Sequence, residues 1–111
     1  MATSKIMTDS THEILASGVD LYRIGKIRIL NFTNYVLGTP FTIPVADRPP
    51  QKAVGIGTRD NGSAFITFVR IEINTNGNAT YYLAGTYNTG NGYSLGVAND
   101  VYSANVVWSV A

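Results

Sequence analysis

The chain has 111 residues, eight Lys and Arg against seven Asp and Glu for a net charge of +1, and no cysteine. A chain of this length makes one domain with one thin core, and near-neutrality without a basic run leaves no electrostatic footprint for nucleic acid or an anionic membrane. The lack of cysteine excludes a disulfide framework and a thiolate metal site.

Charged residues are only 14% of the chain against 45% hydrophobic, so the polar surface has to come from Asn, Thr, Ser and Gly. The first residues lack the continuous apolar run of a signal peptide. No later stretch approaches the roughly 20 apolar residues of a membrane helix. Membrane insertion is therefore not expected.

In chain order, residues 1–18 form a leader distinct from the β-patterned remainder, 19–111. Ser10 and Glu13 stand at capping-box spacing before Ile14, Leu15 and Ala16, with Gly18 as a stop signal, which predicts a short helix unless the segment is an unstructured leader. From Val19 the period becomes two. The stretches VDLYRI and IRILNF predict two strands joined at Gly25 and Lys26 by a type II′ turn, with Gly first. TPFTIPV predicts a short strand at an edge, because Pro44 cannot donate to a ladder.

KAVGIG, beginning at Lys52, is the next strand, and its glycines suit a bulge or the close approach of another backbone rather than a phosphate loop. After the turn TRDNGS comes the longest predicted strand, AFITFVRIEIN. Phe65, Thr67, Val69, Ile71 and Ile73 share one face of it, while Ala64, Ile66 and Phe68 make the other face apolar too. In so small a domain a two-faced strand asks for a neighbouring chain, or for a closed barrel.

An Asn-Gly hairpin is expected at Asn76 and Gly77, leading into TYYLAG. A long polar and aromatic loop then runs through TYNTGNGYSLGVANDVYS, of the kind that carries function in compact domains. The last strand, ANVVWSV, sets Val106, Trp108 and Val110 on one face, with Trp108 in the core or at a subunit interface. The fold expectation is all-β: a small antiparallel β-barrel or sandwich of about seven strands.

The order of these segments resembles the C-terminal head domain of phage tail receptor-binding and tail-fibre proteins. LYRIGKIRILNF, TIPVADRPP from Thr42 to Pro50, IEINTNGNATYYL from Ile71 to Leu83, and the closing NVVWSV carry the resemblance. Ala46 and Asp47 stand where that family usually has glycine. The resemblance implies a homotrimer in a phage virion, encoded by a phage or prophage, that binds a bacterial surface saccharide without catalysis. A purely structural trimeric tip is the alternative, and a weak depolymerase a third reading.

Catalytic groups are sparse. His12 and Glu13 lie in the leader and are expected to be a hydrated pair, and Asp47, Asp60 and Asp100 stand in turn contexts where they bond their own backbone. No catalytic residue, metal site or cofactor is assigned. Saccharide binding asks only for flat aromatics and hydrogen-bonding side chains. Arg59 and Asp60 of the TRDNG turn, with Tyr87, Asn88, Asn91 and Tyr93 of the long loop, are the candidate ligand-binding residues. Simple loop packing is the competing reading for Tyr87 and Tyr93. Arg48 is expected to brace the proline corner formed by Pro44, Pro49 and Pro50.

Overall fold

In the computed structural model, which describes residues 10–60, 67–84, 93–95 and 100–110, the predicted Gly25–Lys26 hairpin forms as expected. Strand β2 (Val19–Ile24) pairs with β3 (Ile27–Val36) from Val19 opposite Phe32 to Ile24 opposite Ile27, and Gly25 takes φ +56° while Lys26 does not turn positive. One positive φ at the first turn position is the type II′ signature.

The segment expected to be a short N-terminal helix is instead a strand. Ser10–Ala16 forms β1, antiparallel to β2, and Gly18, at φ +81°, makes the tight turn between them. A Cβ on Gly18 would stand 2.8 Å from the Thr33 carbonyl oxygen. The capping-box spacing is local information, whereas β2 has an edge whose amides and carbonyls need partners. Non-local pairing overrides the local signal.

β4 (Ala53–Asp60), β5 (Thr67–Ile73), β6 (Ala79–Ala84), β7 (Tyr93–Leu95) and β8 (Val101–Ser109) complete one antiparallel sheet of eight strands in the order β1-β2-β3-β8-β4-β5-β6-β7. The sheet does not close into a barrel, and among the described residues no second sheet makes a sandwich. TPFTIPV is not a strand: residues 39–44 cross the buried face in irregular form and end in a 3-10 turn, Val45–Asp47. The short β7 lies inside the expected long loop and pairs with Tyr82, Leu83 and Ala84. At the Asn76–Gly77 hairpin the turn is longer than a two-residue Asn-Gly turn, because the Asn74 amide bonds the Asn78 carbonyl at 2.8 Å and only Gly77 is left-handed.

One face of the sheet holds the core. Val19 and Leu21 of β2, Leu30, Phe32 and Tyr35 of β3, Val69, Ile71 and Ile73 of β5, and Tyr102, Val106 and Trp108 of β8 are all buried. An extra residue in β3 between Phe32 and Tyr35, with Asn34 at φ +49°, shifts the register against β8 and keeps Tyr35 on the buried side. The sheet coils over this face until β3 meets β6 across it, with the Tyr81 ring 6.3 Å from Phe32 and 6.0 Å from Tyr35.

The glycine alternation of β4 makes that coiling possible. A Cβ on Gly57 would run into the Ser103 carbonyl oxygen and Ala104, and one on Gly55 into the Asn105 carbonyl oxygen and Val106. The two glycines let the β8 backbone press against β4, as close backbone approach requires.

The proline-rich segment closes the concave side. Phe41 packs edge-on against Phe32 at 5.8 Å and Tyr35 at 5.9 Å, Ile43 is fully buried, and Pro49 lies among the fully buried side chains. Arg48 braces the corner as expected, its Nε donating to the Ile43 carbonyl at 3.0 Å and its side chain lying against Gly77. Trp108 is core, and its indole N–H donates to the Asp47 carbonyl at 2.8 Å. Trp108→Phe keeps most of the packing and leaves that carbonyl without this donor, so we expect a loss of about 1 kcal/mol, measurable by urea denaturation.

The opposite face of the sheet is open. Ile24, Ile27, Val54, Ile56, Phe68 and Val107 are exposed there, Ile56 at 70% and Phe68 at 61%. Of the expected apolar side of the long strand only Phe68 falls among the described residues. Polar side chains on this face pair within the chain, His12 with Asp20 at 3.1 Å and both Lys52 and Arg70 with Glu72 at 3.2 Å. His12 also stacks on Tyr22 at 4.4 Å, so it belongs to a strand surface rather than to a helix start.

Candidate functional site

Antiparallel pairing decides which candidate residues can meet. Asp60 ends β4 opposite Val101, Thr67 begins β5 opposite Arg59, Ala84 ends β6 opposite Phe68, and Tyr93 begins β7 opposite Ala84. These termini share one end of the sheet, so Arg59, Asp60, Tyr93 and Asp100 belong to one region. Tyr87, Asn88 and Asn91 lie outside the described residues, and for Tyr93 the description extends to the backbone alone.

Arg59 is committed within this region. Its guanidinium donates to Asp100 Oδ1 at 2.9 Å, and Tyr102, completely buried, donates its hydroxyl to Asp100 Oδ2 at 3.3 Å. The Asp100 backbone carbonyl accepts the Leu37 amide at 2.8 Å, tying the start of β8 to the end of β3. Burial, followed by the neighbouring Asp100 charge and hydrogen bond, pushes the Tyr102 hydroxyl well above the ordinary tyrosine range. Arg59 thus ties the end of β4 to the residue that precedes β8, and Asp60 is exposed at the end of β4.

The acids do not converge. Asp60 and Asp100 lie at the Val101 end of β8, whereas Asp47 sits beside Trp108 at the other end, where Arg23 and Arg28 clamp it. Arg23 donates from Nε at 2.9 Å and from a terminal nitrogen at 2.8 Å, and Arg28 adds a third bond at 2.7 Å. The Arg23 hydrogen bonds, then those of Arg28, hold the Asp47 carboxyl below its usual range against the opposing effect of burial. Among the described residues no group of three or more His, Asp or Glu could hold a metal ion.

A second region was not anticipated from the sequence. Between the corner after β3 and the β5–β6 turn lies a groove of about 400 Å³ lined by Tyr35, Thr39, Phe41, Asn78 and Tyr81 among others. Tyr35 donates to the Thr39 carbonyl at 2.6 Å. Burial first, and hydrogen bonding with Tyr35 second, push the Tyr81 hydroxyl far above the ordinary range. The adjacency of Tyr81 and Tyr82 signalled that one of them faces inward. The groove itself depends on residues some forty positions apart and has no local signature.

Comparisons with protein-family models, with curated proteins and with solved structures return no match.

Proposed function

We propose that the chain is a non-enzymatic recognition module of the phage receptor-binding head type, assembling as a homotrimer in the virion and reading a bacterial surface saccharide. The observation that carries this reading is the gathering, at one end of the sheet, of the strand termini that flank the Asn-, Gly- and Tyr-rich connections. The sequence resemblance supplies the biological setting. A sheet whose strand ends are tied by the Arg59–Asp100 pair suits recognition by the polar connections between those strands, since binding groups concentrate on loops held by a scaffold.

The open apolar face supports self-association. Judged from their fractional exposures, its large side chains present on the order of 700 Å², against about 800 Å² per partner in a standard stable interface. Its polar side chains pair within the chain, His12 with Asp20 and both Lys52 and Arg70 with Glu72, which lowers the cost of burying this face against further copies. Ile56→Lys puts a cation at the middle of this face without touching the core. We expect unchanged thermal stability of the isolated chain and loss of the trimer in sedimentation velocity; a wild type that sediments as a monomer removes the assembly from the proposal.

Recognition is tested by titrating the protein with purified bacterial cell-wall and capsular polysaccharides. Tyr87→Ala and Tyr93→Ala should each weaken binding by about 1–1.5 kcal/mol, roughly tenfold, the scale of one aromatic stacking contact. A specific observation favours the structural-tip alternative, namely that Arg59 is engaged by Asp100. Full binding by both tyrosine variants, or no binding by the wild type, would decide for that alternative.

A further inference from the structure

The groove between the β3 corner and the β5–β6 turn has the chemistry of a small-ligand site. Its volume of about 400 Å³ lies at the lower end of the range occupied by ligand pockets, about 300–1,000 Å³, which suits a ring-sized ligand rather than a long chain. None of the side chains lining it is a carboxylate, ammonium or guanidinium. Burial pushes the Tyr81 hydroxyl far above the ordinary tyrosine range, and the Tyr35 hydroxyl donates to the Thr39 carbonyl. A charged ligand would lose hydration here and meet no counter-charge from a lining side chain; the nearest guanidinium, Arg48, lies against Gly77 and is held by the Ile43 carbonyl.

The aromatic surfaces are set in advance. Tyr35 holds Phe41 edge-on at 5.9 Å and Tyr81 stacked at 6.0 Å, and Phe41 and Tyr81 stay partly exposed toward the groove while Tyr35 is buried beneath them. Gly38 at φ +108° and Gly77 at φ +87° set the backbone of the two walls, and the 74–78 turn is closed by its own hydrogen bonds. Little conformational freedom remains to be lost on binding, which favours affinity for a weakly held ligand.

We infer that this groove binds a single neutral sugar ring, with the apolar face of the ring against Phe41 and Tyr81 and its hydroxyls toward the Thr39 and Asn78 walls. The saccharide class rests on the proposed function, but the site is distinct from the Tyr87–Tyr93 region.

Amide-resolved NMR titration of the full chain with glucose, galactose, rhamnose and N-acetylglucosamine, and with glycerol phosphate as charged control, tests it. At least one neutral sugar should produce saturable shifts at millimolar concentration at Gly38, Thr39, Phe41, Asn78 and Tyr81. Asn78→Trp, which fills the groove from an exposed turn position, should weaken that binding by roughly tenfold or more at an unchanged melting temperature. Thr39→Trp provides a second blocking variant if the first perturbs the turn. Shifts confined to residues 59–60 and 85–93 would overturn the groove and leave the proposed function standing. No shift anywhere overturns the groove and leaves the proposed function to the polysaccharide titration, and binding of glycerol phosphate alone, or binding indifferent to the blocking variants, also overturns the groove.

Discussion

Asp47→Ala is expected to destabilise the protein by about 3 kcal/mol, at the lower end of the cost of breaking a buried ion pair from one side. The carboxylate is almost fully buried and accepts hydrogen bonds from both Arg23 and Arg28. Its removal leaves Arg28, whose side chain is 12% exposed, with the Gly25 and Ile27 carbonyls as acceptors but no counter-charge, whereas Arg23 keeps Glu13 at 2.7 Å. The effect reaches beyond electrostatics, because Asp47 closes the 3-10 turn that brings its own carbonyl onto Trp108. Loss of the clamp therefore loosens the segment that covers the concave face.

The same group sets an acid limit. Its folded-state pKa is depressed, so the unfolded chain takes up a proton at higher pH than the folded one. The stability it contributes is fully present above the unfolded carboxylate value, about 3.9, and is lost as pH falls from there through the folded value. Thermal melts between neutral pH and the acid range should fall steeply below about pH 4 in the wild type. In Asp47→Asn the neutral-pH melting temperature should be lower and that acid dependence shallower. A variant with the wild-type acid profile would locate the acid sensitivity in another carboxylate.

Gly57→Ala is expected to cost about as much, roughly 3 kcal/mol, at the top of the usual range for overpacking. The new methyl meets the Ser103 carbonyl oxygen and Ala104, which are backbone and short side chain with no flexible end to swing aside. Relief requires β4 and β8 to separate, which uncoils the sheet where it folds over the core. For a domain of this size the melting temperature should drop by roughly 10–20 °C. Gly25→Ala is the control, since a Cβ there has nothing within 4 Å and meets only the left-handed backbone at φ +56°, a cost of about 1–2 kcal/mol. Equal losses at the two positions would remove close approach as the reason for Gly57.

Much of the fold was legible because it rests on local chemistry. The period-two stretches produced β2, β3, β4, β5, β6 and β8, and Gly25 dictated the hairpin turn, since only that residue adopts the left-handed first position without strain. Arg48 and Trp108 were also placed correctly, the first by its position in the corner formed by Pro44, Pro49 and Pro50, the second by alternation in β8.

Other features were decided by partners distant in the chain. β1 is a strand because the free edge of β2 recruits it, and residues 39–44 are not a strand because they are needed across the core, where Ile43 and Phe41 fill the mouth of a sheet that does not close. Arg59 looks like a ligand group in sequence, but β8 brings Asp100 against it. The Tyr35–Phe41–Tyr81 groove arises only when β3 and β6 meet across the coiled sheet. The sequence by itself determined the all-β class, most strands and their tight turns, because alternation and positive-φ glycines act over a few residues. Only tertiary structure decided strand order, the partners of the charged groups and the location of the grooves, since each depends on contacts that alternation leaves equally available to several pairings.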